Sequence, residues 1–160
     1  MLVPLKERAR LPTIPVTRAG LLTSVPLFPR PEASAATVPD ASSKGRRRLR
    51  AGAAALAGFL REAYGRPLPL VLGVLRDKDV ASIVAPLTAV ASRIVCTAAP
   101  SPRALQPSEL AAIVAAQASR LEVSAEDTPR WAIALAAAAG SPVVVAGSLY
   151  LAGAVRRYVS

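Results

Sequence analysis

A chain of 160 residues, 52% hydrophobic and 19% charged, has room for one modest core and is neither a large multidomain enzyme nor a wholly disordered polymer. Its single cysteine, Cys96, excludes an internal disulfide; with no histidine, the chain by itself has no His-based acid–base catalysis and no zinc site of the common kinds. The net charge of +10 is unevenly spread, because residues 1–50 hold ten basic and three acidic side chains and the remaining 110 residues carry only +3.

Seven of the fifteen prolines precede residue 40 without regular spacing, each removing a backbone donor, and no apolar period is sustained between them. Residues 1 to about 44 are therefore expected to be extended or disordered chain. No apolar run of secretory-signal length follows Lys6, while the basic, Ser-containing character leaves organellar targeting as the alternative to a plain tail in a cytoplasmic protein. The run Arg46, Arg47, Arg48 and Arg50 has no aromatic residue among it for stacking on bases, so it reads as a solvated charge run and not a specific nucleic-acid interface.

From Ala51 helical and strand periods alternate. Ala51–Tyr64 places Leu56, Phe59, Leu60 and Ala63 on one helical face. Leu68–Val74 is a continuous apolar run of the kind buried on both faces of a sheet, Asp77–Ser92 repeats apolar residues at three and four, and Arg93–Ala98 reads as a second strand. Pro107 opens a helix through Ala111–Arg120, Leu121–Ser124 is a short third strand, and Ser124–Ala139 a capped helix carrying Trp131. After Gly140, Pro142–Ala146 forms a strand and Ser148–Tyr158 a last helix. The 25 uncharged residues from Trp131 to Val155 have the length of a membrane span, but Gly140-Ser141-Pro142 breaks them at the middle and Val143, Val144 and Val145 favour a strand. The alternation predicts an α/β fold, a Rossmann-like, mostly parallel sheet with helices on both faces.

No Gly-x-x-x-x-Gly-Lys-Ser/Thr loop is present, and Lys6, Lys44 and Lys78 lie in no such setting. Ligands of open α/β sheets gather at the carboxyl ends of strands, and two strand-to-helix junctions carry suitable groups. At the first, Asp77, Lys78 and Asp79 follow a buried strand; the two carboxylates suit a helix N-terminus as caps, whereas Lys78 opposes that preference and suits an anionic ligand. Capping and ligand contact both remain open there. At the second, Gly147 permits close backbone approach, and Ser148 either caps the following helix or binds a carboxylate or phosphate. Cys96, Trp131 and Tyr150 read as packing residues, and no residue is assigned as catalytic or as a metal ligand.

The run Leu72-Gly73-Val74-Leu75-Arg76-Asp77-Lys78-Asp79-Val80, the block Pro102-Arg103-Ala104-Leu105 and the run Val145-Ala146-Gly147-Ser148-Leu149-Tyr150-Leu151 together resemble the C-terminal domain of folylpolyglutamate synthase/dihydrofolate synthase, of the Mur ligase superfamily, over residues 51–158. The resemblance implies a ligase that uses ATP and Mg to activate a folate or pteroate carboxyl as an acyl phosphate, which the amino group of L-glutamate attacks. It places the P-loop, the magnesium ligands and most of the folate site in a separate ATPase domain. It also implies Asp-Gly-Ala-His-Asn-Pro before the helix at Ala51, where this chain has Gly45-Arg46-Arg47-Arg48-Leu49-Arg50.

Two units are accordingly expected: a basic Pro-rich extension over 1–50 and a Mur-ligase-type α/β domain over 51–160. The abrupt change between them, with a first segment rich in residues that GC-rich DNA encodes out of frame, suggests an aberrant origin for residues 1–50. The domain alone is expected to be an incompetent ligase that depends on a separate ATPase domain or subunit. A noncatalytic nucleotide- or carboxylate-binding module of the same fold is the alternative, and neither reading involves a membrane.

Overall fold

The computed structural model describes residues 21–23 and 41–158, so most of the segment expected to be extended or disordered lies outside the described residues. In chain order the elements are β1 (Leu21–Thr23), α1 (Ala41–Tyr64), β2 (Leu68–Gly73), α2 (Val80–Thr88), β3 (Ala91–Thr97), α3 (Pro107–Gln117), β4 (Glu122–Glu126), α4 (Pro129–Ala139), β5 (Val143–Gly147) and α5 (Leu149–Arg156). The strands form one sheet in the order β1-β5-β2-β3-β4, with every strand pair parallel. The expected α/β architecture is therefore present.

Parallel neighbours need crossover connections, and right-handed crossovers dictate where the helices go. β2-α2-β3 and β3-α3-β4 step outward and put α2 and α3 on one face together with α1. The return from β4 to β5 passes β3 and β2, so α4 crosses on the opposite face, where α5 joins it. Each central strand feeds both cores by alternation. On β2, Leu68, Leu70 and Leu72 face the first core, with Leu56 and Leu60 of α1 and Ile83 and Leu87 of α2; Val71 faces the second, with Ala132 and Ala136 of α4 and Leu151 of α5. The alanines let α4 lie close to the sheet, which gives the unbroken apolar runs a partner on that side as well.

Several boundaries differ from those read in the sequence. α1 begins at Ala41, ten residues before the expected Ala51. Leu49 precedes Ala53, Leu56 and Leu60 on the same buried stripe, and arginine is a good helix former, so the apolar period extends into the basic run. β1 adds three residues to the edge of β5 within a segment expected to lack regular structure, pairing backbone groups that an edge strand leaves open. α2 is shorter than Asp77–Ser92, since Asp79 caps its start and the chain has entered β3 by Ala91. Pro129 in the first turn of α4 sets its start five residues after the expected Ser124, and β4 accordingly extends to Glu126. The uncharged stretch Trp131–Val155 is divided among α4, β5 and α5, and among the described residues no helix is long and apolar enough to cross a membrane.

Candidate functional site

Between β2 and β5 the topology switches direction: the chain leaves β2 for one face of the sheet and β5 for the other. Such a point opens a crevice beyond the carboxyl ends of the strands. A pocket of about 190 Å³ lies there, lined after β2 by Val74, Leu75 and Lys78 and after β5 by Gly147, Ser148 and Tyr150. Leu49 and Ile83 extend its apolar wall, and Arg103 brings a second cation.

Local hydrogen bonding explains how the cations arrive. The Lys78 amide donates to the Leu75 carbonyl at 3.1 Å, closing a turn that sets Asp77 and Lys78 beyond β2. Arg103 is 25 positions further on, yet the Arg76 amide donates to its carbonyl at 2.8 Å and the Leu105 amide donates to the Val74 carbonyl at 3.0 Å, so a short antiparallel bridge ties its loop to the same turn. Asp77 lies between the two cations: its Oδ2 is 3.0 Å from Lys78 Nζ and 3.8 Å from Arg103 Nη1. The hydrogen bond from Lys78 holds the Asp77 carboxyl below its ordinary value of 3.8, so it is anionic at neutral pH. One carboxylate shared by two cations leaves a surplus positive charge at the pocket mouth.

The β5 side is built by close backbone approach. Gly147 is paired with Gly73 across the ends of β5 and β2 and adopts φ 123°, and a Cβ added to it would collide with the Gly73 carbonyl. That same carbonyl accepts from the Ser148 amide at 2.9 Å, fixing Ser148 as the N-cap of α5, where its Oγ accepts from the Leu151 amide at 3.2 Å. The first turn of α5 then presents Leu149 and Tyr150 at the pocket, with Tyr150 53% exposed.

Of the residues singled out in the sequence, Lys78, Gly147 and Ser148 are brought together as lining, and Asp77 is joined to them through its ion pairs. Asp79 stands apart as the N-cap of α2, its two oxygens accepting from the Ser82 amide at 3.2 Å and the Ser82 hydroxyl at 2.7 Å. Tyr150, read as a packing residue, instead lines the pocket. Arg103 lies in one of the three blocks that carry the family resemblance, but its sequence setting assigns it to no site, and only the bridge between the two loops reveals its place. Cys96 is fully buried in β3, and burial pushes its thiol up from 9.0 to about 12, which suits a core residue and not a nucleophile. Among the described residues, no group of three or more His, Cys, Asp and Glu side chains is placed to hold a metal ion.

Residues 50–149 match the family described as Mur ligase, glutamate ligase domain. The chain belongs to this family. It is 36% identical over 103 residues to the folylpolyglutamate synthase of Lacticaseibacillus casei, a match covering 61% of this chain and 22% of that protein. Among solved structures, the Mycobacterium tuberculosis folylpolyglutamate synthase complexed with ADP superposes with a TM-score of 0.59 at 34% identity, over 68% of this chain and 27% of that one. The Thermotoga maritima folylpolyglutamate synthase gives a TM-score of 0.61 at 32% identity, over 69% and 25%. The family match takes in both strand-to-helix junctions and the Arg103 loop, so every pocket residue apart from Leu49 and Tyr150 lies inside it. The chain spans about a quarter of the length of these relatives.

Proposed function

We propose that the chain is the amino-acid-binding C-terminal part of an ATP-dependent ligase of the folylpolyglutamate synthase/dihydrofolate synthase type. The complete reaction adds L-glutamate to a folate or pteroate carboxyl activated as an acyl phosphate. The observation that carries this reading is the convergence of Lys78, Arg103 and Ser148 on one pocket within the matched glutamate ligase domain. In it, Lys78 and Arg103 hold a ligand carboxylate by charge-assisted hydrogen bonds, and the positive end of α5 behind Ser148 adds to the attraction. The apolar wall of Leu49, Val74 and Tyr150 keeps water from competing for those bonds.

The sequence has no P-loop and no histidine, and on that ground we assign ATP and Mg to another part of the ligase. In this reading the chain binds and orients one substrate, and phosphoryl transfer belongs to an ATPase domain or subunit outside it. Incubation of the purified chain with folate, ATP and L-glutamate should give no ligated product, while a P-loop protein should copurify from its native host. Turnover by the chain alone would overturn the division of labour. A chain that binds glutamate but captures no P-loop partner would instead be the noncatalytic module, a reading the missing nucleotide motif also favours.

A further inference from the structure

Asp77 belongs to neither the apolar wall nor a helix cap, and it faces the two cations of the pocket. Lys78 and Arg103 both reach its Oδ2, at 3.0 Å and 3.8 Å. A ligand carboxylate that takes up those cations competes with Asp77 for them, so the two carboxylates stand side by side and Asp77 loses part of its share of the positive charge. For a plain carboxylic acid this is a like-charge contact. An α-amino acid removes the conflict, because its ammonium group sits on the carbon next to its carboxylate and supplies the positive charge that Asp77 has lost. We propose that Asp77 is the selector of this pocket, accepting the α-ammonium of an amino acid whose α-carboxylate is held by Lys78 and Arg103, and rejecting carboxylates without an amino group.

The inference rests on the reading of the pocket as an amino-acid site and adds a role that the cations cannot perform. Two cations alone attract any carboxylate; discrimination requires a negative group placed against the wrong ligand. Asp77 suits this task because the Lys78 hydrogen bond keeps it ionised and because it is 45% exposed, so it can turn toward a ligand without breaking the core. It is a recognition residue, and no proton transfer is assigned to it.

The test is titration of the full chain with L-glutamate and with glutarate, the same skeleton without the amino group, followed by calorimetry or by amide shifts of Gly147 and Ser148. The wild type should prefer L-glutamate. Asp77→Asn should weaken L-glutamate and tighten glutarate, each by about twofold to fivefold for a solvent-exposed charge pair, so that the preference is erased. Asp77→Glu, which keeps the charge, should retain a preference for the amino acid. Lys78→Ala should weaken both ligands together. If Lys78→Ala does so while Asp77→Asn leaves the ratio unchanged, the pocket reading stands and the selector role falls. If the wild type binds neither ligand, or Lys78→Ala changes nothing, both readings fall.

Discussion

At Ser148, capping and ligand contact draw on one side chain, and a pair of substitutions separates them. Ser148→Ala removes the acceptor for the Leu151 amide, so it should cost about 1 kcal/mol of stability and weaken glutamate binding as well. Ser148→Asp restores an acceptor at a helix N-terminus, where negative charge is favoured, and should come within about 0.5 kcal/mol of wild type. Its charge opposes a bound carboxylate, so glutamate should bind about fivefold more weakly despite the intact fold. Denaturant unfolding and calorimetry on the two variants check this, and undiminished binding by Ser148→Asp would remove Ser148 from the site. Cys96 gives a different signal. With its thiol held up to about 12, the folded chain keeps a proton that the unfolded chain loses above 9.0, so stability falls as pH rises between those values. The single-group slope is about 1.4 kcal/mol per pH unit at most, and it should be missing from the same titration of Cys96→Val.

Among the elements, the contact between β3–β4 and α4 is the least complete. Register pairs Arg93 with Glu122, Val95 with Ser124 and Thr97 with Glu126, which puts polar groups under an alanine-rich helix. Arg93 is anchored by its ion pair with Glu122, but its Nε, Thr97 Oγ1 and Ser124 Oγ are buried without a protein partner among the described residues. A buried hydroxyl without a partner opposes folding, so Thr97→Val should raise stability by about 1 kcal/mol in denaturant unfolding. A loss of that size would mean that the hydroxyl is satisfied in solution. The pattern of legibility follows from the same physics. The strands β2, β3 and β5 were readable because both faces are buried and their sequences are nearly unbroken in apolar residues. β4 was read one residue early at its start and two residues short at its end because Glu122, Ser124 and Glu126 hide a strand behind polar letters. Asp79 left its two roles open in the sequence, because a cap and a ligand contact ask for the same residue at the same position; only the bonds to Ser82 show the cap. Arg103 was beyond reach, since its place depends on backbone bonds between loops 25 residues apart.

On the scale of the whole chain, the boundary suggested by charge and proline usage and the boundary suggested by packing do not coincide. Charge and proline change near residue 50, where the family match also begins. The helix does not change there: α1 runs from Ala41 to Tyr64, and Leu49, Ala53, Leu56, Ala57 and Leu60 keep one buried stripe across the junction. Leu49 also contributes to the pocket wall, so the last part of the basic segment serves both the core and the site. We propose that the folded unit includes at least the second half of this helix turn pattern before residue 50, with the remainder of the extension adding little stability. Limited proteolysis should then leave a protected fragment that retains Leu49 and continues to the end of α5, because cutting a helix needs local unfolding of its buried face. The arginines make this a demanding test, since trypsin has sites at exposed Arg47, Arg48 and Arg50 on either side of Leu49. Rapid cleavage after Arg50 with an otherwise intact domain would place the boundary where the composition changes. Resistance at all three arginines under conditions that remove the Pro-rich residues before them would place it inside α1, and Leu49→Asp should then both restore cleavage and open the pocket wall.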